Sequence, residues 1–115
     1  MTQGNNGAEM QFLASDELEM ASGILGTLSD PMRLQMLWAL CQGECTLSDL
    51  AQQCGVSTNV ASQLMTRLRT AGVLRSHKDG RHVIYELHDD QLRDFIESVV
   101  DMARRRLRME LDDAS

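Results

Sequence analysis

The spacing of apolar residues along this chain changes at Gly72 from a repeat near about 3.6 to a repeat near about two, and returns to the helical repeat from about Asp89. Upstream, apolar residues recur every three or four positions, as one face of a helix requires. Downstream, the runs 73–78 and 81–87 flank Asp79-Gly80, a pair that favours a tight hairpin because both residues tolerate the left-handed backbone of such turns. A chain of 115 residues has material for one core. The hairpin must therefore close onto helices of the same domain, and the expected fold class is mainly α with a small β-hairpin.

Residues 1–14 hold Gly4, Asn5, Asn6 and Gly7 with little periodicity and are expected as a flexible arm. The folded domain is expected over 15–108, and 109–115 as an acidic, frayed tail. A first helix over 16–28 aligns Leu18, Ala21, Ile24, Leu25 and Leu28 on one face. Asp30 can cap a second helix, and Pro31 suits its first position because its missing N–H would have no partner there. Leu34, Leu37, Trp38 and Cys41 form its stripe, and Gly43 is the expected stop. Thr46 and Asp49 form a capping box for a short third helix over 47–53. Cys54-Gly55-Val56-Ser57 reads as a tight turn, with Ser57 capping a fourth helix whose apolar stripe is Ala61, Leu64, Met65 and Leu68.

Two helices joined by so short a turn are a helix-turn-helix. With the hairpin and a last helix over 89–107, the order becomes helix, helix, helix, helix, strand, strand, helix, the layout of a winged helix-turn-helix. The last helix aligns Leu92, Phe95, Ile96, Val99, Met102 and Ala103. So small a domain cannot cover that stripe, and a second copy of the chain is the simplest partner, giving a homodimer.

A formal charge of -6 opposes a polyanionic partner, but the charge is uneven. Over 57–82, Arg67, Arg69, Arg75, Lys78 and Arg81 face the single acid Asp79, so five minus one gives +4 and the remainder carries -10. The polar face of the fourth helix offers Ser57, Thr58, Asn59, Ser62, Gln63, Thr66 and Arg67, with hydroxyls, amides and a guanidinium but no carboxylate. Such groups exchange hydrogen bonds with base edges in the major groove, while cations and helix-start N–H groups hold phosphates. Lys78 and Arg81 at the hairpin tip are placed to meet the neighbouring backbone. The competing reading of this face is a merely solvated surface.

The run Leu28-Ser29-Asp30-Pro31-Met32-Arg33-Leu34, the stretches Leu47 to Ala51 and Val56 to Arg69, Gly72-Val73-Leu74, and Gly80-Arg81 through Tyr85 and Leu87 resemble the ArsR-SmtB family of bacterial winged-helix regulators. That resemblance covers roughly 18–107. It implies a homodimer, paired through the first and last helices, that sits on a palindromic operator as a repressor until an inducer binds. Members of the family sense metal ions or thiol oxidants, and others lack a known inducer.

The inducer sites of the family do not carry over directly. Thr46 and Ser48 stand where the arsenic and cadmium type has thiolates, with Cys45 displaced by one. Asp89, Gln91, Met102 and Arg105 match the zinc positions, and only Asp89 is a zinc ligand by chemistry. Two other sets remain open. His88, Asp89, Glu97 and Asp101 could form a nitrogen-oxygen site for nickel, cobalt or zinc from two chains. Cys41, Cys45 and Cys54 could serve as a thiol sensor, or Cys41 as a small core hydrophobe.

No glycine-rich phosphate loop and no nucleophile beside a base supports an enzyme. With no long apolar segment and no basic-then-apolar leader, a cytoplasmic location with reduced cysteines is expected. The function expected is therefore a dimeric DNA-binding regulator, modulated by a metal ion or a thiol-reactive inducer. The alternatives are a protein-interaction module on the same scaffold, or a family member controlled by a partner protein.

Overall fold

The computed structural model describes residues 9–114. Its elements run α1 (Ser15–Leu28), α2 (Pro31–Cys41), β1 (Cys45–Thr46), α3 (Leu47–Cys54), α4 (Thr58–Thr70), β2 (Leu74–Asp79), β3 (His82–Leu87) and α5 (Asp90–Ala114). Of the expected arm, residues 1–8 lie outside the described residues, and 9–14 carry neither helix nor strand.

The helix starts follow their caps. Asp30 accepts from the N–H of Arg33 at 3.1 Å, Thr46 from Asp49 at 3.1 Å, and Ser57 from Val60 at 3.1 Å. Each bond satisfies a donor that the first helical turn would leave without a partner. Between α3 and α4, Gly55 takes the left-handed conformation at φ +71°, and Val56 N–H donates to the carbonyl of Ala51 at 3.0 Å. That closure ends α3 and turns the chain into α4 within three residues, Gly55, Val56 and Ser57.

Three features differ from the sequence-based expectation. A short strand, β1, pairs antiparallel with β3 (Cys45 with Tyr85, Thr46 with Ile84), so the wing is a three-stranded sheet in the order β1-β3-β2. Asp79 pairs with His82, which leaves Gly80 and Arg81 as the loop, one residue later than the Asp79-Gly80 pair suggested. Only Gly80 has a positive φ there, +62°, the pattern of a turn with glycine at its first central position. Finally, α5 continues past Leu107 to Ala114, so 109–114 of the expected tail are helical. No glycine or proline interrupts 89–114, and arginine, leucine, methionine and glutamate all propagate a helix readily.

Met36, Leu37 and Leu40 of α2, Leu50 of α3, Met65 and Leu68 of α4 and Ile96 of α5 are essentially fully buried and form the centre of the core. Val73, Leu74, Tyr85 and Leu87 seat the wing on it. This packing fixes α4 by one face and the wing by its base, leaving the other face and the tip outside. Helix α1 contributes little: Leu28 is its only buried residue, while Leu18, Ile24 and Leu25 stay exposed.

Candidate nucleic-acid interface

Because Ala61, Met65 and Leu68 point into the core, the residues between them point out. Ser57, Thr58, Asn59, Gln63, Thr66 and Arg67 are exposed and Ser62 is half-buried, so the structure gathers all seven sequence-predicted positions on and before α4 along one outward face. Two of the hydroxyls are already engaged. Ser57 caps the helix, and Thr66 donates to the carbonyl of Ser62 at 2.9 Å. Asn59, Ser62 and Gln63 keep side chains that make no bond to the described residues, which suits them to exchange bonds with a ligand. Leu64, by contrast, packs against the core.

The five basic residues of this region divide by their partners. Arg75 pairs with Glu86 directly across the strands at 3.0 Å, and Arg69 donates to Ser76 Oγ at 3.1 Å. The first ties the two wing strands together, and the second braces α4 against β2. Arg67, Lys78 and Arg81 are exposed and form no ion pair among the described residues. Within this region the unpaired cations therefore lie at two places, on α4 and at the wing tip. Sequence reading counted Arg69 and Arg75 only as charge, since their partners lie far along the chain or across the sheet.

The effector sets are placed differently. His88 Nδ1 lies 3.3 Å from Asp89 Oδ2, and Asp89 Oδ1 accepts from the N–H of Leu92 at 2.8 Å, capping α5. The Leu92 N–H, followed by the His88 ring, holds the Asp89 carboxyl below its usual value. Glu97 and Asp101 sit two and three turns farther along α5, and Asp101 pairs with Arg105 at 3.1 Å. Among the described residues no three metal-ligating side chains converge.

The three thiols lie on three elements. Cys41 is buried on α2, near Glu97 and Arg93 of α5, while Cys45 lies on β1 and Cys54 ends α3. Burial is the main reason that all three thiols are pushed up from their usual value. The charges of Asp49 and then Cys54 add to the rise at Cys45, so the Cys45 and Cys54 thiols lie within electrostatic reach of each other.

Sequence reading passed over one group of charges. Arg104, Arg105, Arg106 and Arg108 fall within a single stretch of α5, all exposed, and Arg104 lies over the Trp38 ring at 5.3 Å. Counting charge along the whole chain, instead of within the helix-turn-helix and wing, would have found it.

Residues 30–76 match the family model described as "Bacterial regulatory protein, arsR family". The HTH-type transcriptional regulator KmtR of Mycobacterium tuberculosis is 30% identical over 84 residues, which cover 73% of this chain and 65% of that protein. A transcriptional repressor SmtB homolog of Synechocystis is 28% identical over 91 residues, covering 79% and 69%. The chain thus spans about two thirds of the length of these relatives, slightly less for KmtR. Among solved structures, NolR from Sinorhizobium fredii superposes with a TM-score of 0.70 at 26% identity, over 81% of this chain and 96% of that one. HlyU from Vibrio cholerae shares the fold at a TM-score of 0.73 and 24% identity, over 77% and 97%. These relatives are regulators rather than enzymes, and no helix among the described residues is long and apolar enough to cross a membrane. The matched segment holds the second helix, the helix-turn-helix and the start of the wing, so it is this part of the chain that is similar to the ArsR family of bacterial regulatory proteins.

Proposed function

We propose that this chain is a sequence-specific DNA-binding regulator of transcription that acts as a dimer on a palindromic operator and represses from there. One observation carries the reading: an exposed, carboxylate-free face of α4 lies on the same domain as the unpaired cations Arg67, Lys78 and Arg81. A helix of that kind fits the major groove. Ser62 and Gln63 read base edges, while Ser57, Thr58, Asn59 and Thr66 line the approach. Arg67 holds the phosphate backbone from α4, and Lys78 and Arg81 hold it from the wing. Leu64 is half-buried and packs against the core.

The test is a binding titration against the DNA upstream of the chain's own gene, with excess random competitor. Gln63→Ala is expected to lose ~1–3 kcal/mol on that operator and little on random DNA. Equal losses on both would remove Gln63 from base reading, and no preference for the operator by the unmodified chain would end the proposal.

His88 and Asp89 are the part of the metal reading that this proposal keeps. They are adjacent nitrogen and oxygen donors on an exposed helix start, too few for nickel, cobalt or zinc without donors from a second copy. Release of the operator on adding one of these metals supports control at that position. Release that survives His88→Ala excludes it.

A further inference from the structure

The wing is a lever seated at one end. Its inner face holds Leu74, Tyr85 and Leu87 in the core, while residues 77–82 are all exposed and reach past it. Cross-strand pairs share a face of a sheet, so Ser76 opposite Tyr85, and Lys78 opposite Val83, continue that inner face outward. The Arg75–Glu86 pair lies on the other face and ties the two strands together, so the hairpin turns as one body. The core fixes the base of this lever and leaves the angle of its outer half to other contacts.

One contact reaches that outer half. Arg69 Nη1 donates to Ser76 Oγ at 3.1 Å, and no other side-chain hydrogen bond or ion pair joins α4 to the wing among the described residues. On α4, Ser62, Thr66 and Arg69 fall at i, i+4 and i+7 and so share one flank. Ser76 is half-buried, and Lys78 follows it about 7 Å farther out on the same face of the strand. The bond thus runs from the flank of α4 that carries Ser62 to the strand position just inside the first tip cation. A guanidinium suits that span, because its donors are fixed in one plane and a single bond orients the whole group.

We infer that Arg69 is a positioning residue of the DNA interface: through Ser76 it sets the wing against α4, so that Lys78 and Arg81 stand at the backbone while Ser62 and Gln63 read bases. The inference rests on the DNA-binding proposal. Arg69 itself touches no DNA in this role, since its guanidinium is engaged with the wing. A wing free to swing presents its two cations in the binding setting only part of the time, and apparent affinity falls by that fraction. The salt dependence does not fall with it, because every cation that meets a phosphate is still present.

Ser76→Ala removes the acceptor and no charge, so it separates this role from direct contact with DNA. Affinity of the full-length chain for the operator is expected to fall about threefold to tenfold, the range of one net hydrogen bond, with the slope of log affinity against log salt unchanged. Arg69→Ala is expected to lose as much, and the double variant no more than either single, because both changes break one bond. Ser76→Thr keeps the hydroxyl and is expected to bind like the unmodified chain. Without DNA, amide relaxation at 78–82 is expected to show a more mobile wing in Ser76→Ala, while α2–α4 and the unfolding midpoint stay nearly the same. Three results would each overturn the inference while operator binding by the unmodified chain stands: a salt slope that Arg69→Ala flattens by about one contact per copy, losses that add in the double variant, or unchanged affinity and wing mobility in Ser76→Ala. An unmodified chain with no preference for the operator would end the DNA-binding proposal and the positioning role with it.

Discussion

At the scale of single residues, burial and hydrogen bonding separate side chains that build the domain from those it offers outward. Ser57 belongs to both groups, as the cap of α4 and a neighbour of its polar face. Ser57→Ala is expected to cost about 1 kcal/mol of stability through the lost cap, measured by denaturant unfolding without DNA. Leu68→Ala, deep in the core, is expected to cost ~2–5 kcal/mol in the same measurement. The thiols follow the same division. With burial pushing all three up, iodoacetamide is expected to label them slowly at neutral pH and faster as the pH rises, with Cys41 last because it is the buried one. Rapid labelling of Cys41 at neutral pH would show a thiolate that its surroundings do not explain. The roles of Ser57 and Leu68 are readable from the sequence, since a cap sits just before a periodic run and a core residue sits on its stripe. The bond from Arg69 to Ser76 is not, because it depends on how α4 meets β2 in space.

At the scale of elements, the parts with strong local signals agree between sequence and structure, and the weakly marked ones differ. Helices α2, α3 and α4 each begin after a capping side chain and follow an apolar stripe, so their starts are legible. Strand β1 is too short for any period, and only its pairing with β3 defines it. The end of α5 is obscured because its arginines and acids suit a solvated tail and an exposed helix equally well. Its start makes a pH-dependent prediction. The folded Asp89 carboxyl is held down by the Leu92 N–H and the His88 ring, so its capping bond is complete above the ordinary carboxylate range and is lost as the pH falls through the depressed folded value. Hydrogen exchange at the Leu92 amide is expected to lose protection on acidification below about pH 4, and Asp89→Asn to remove that dependence. At the wing, Gly80→Val would force a β-branched residue to φ +62°, and it is expected to loosen the hairpin while leaving α2–α4 folded, as read by amide chemical shifts.

At the scale of the whole molecule, net acidity is compatible with the proposed DNA binding because unpaired cations stand on α4 and at the wing tip. Arg67, Lys78 and Arg81 project from α4 and the wing, and the excess acid lies elsewhere. The central claim is that this cationic, carboxylate-free surface holds DNA, and the salt dependence of operator binding tests it most directly. The slope of log affinity against log salt is expected to be steep for the unmodified chain and to flatten by about one contact per copy in Arg81→Ala, with affinity falling on operator and random DNA alike. A slope that Arg81→Ala leaves unchanged would contradict a role for the wing, and a slope near zero in the unmodified chain would contradict the claim itself.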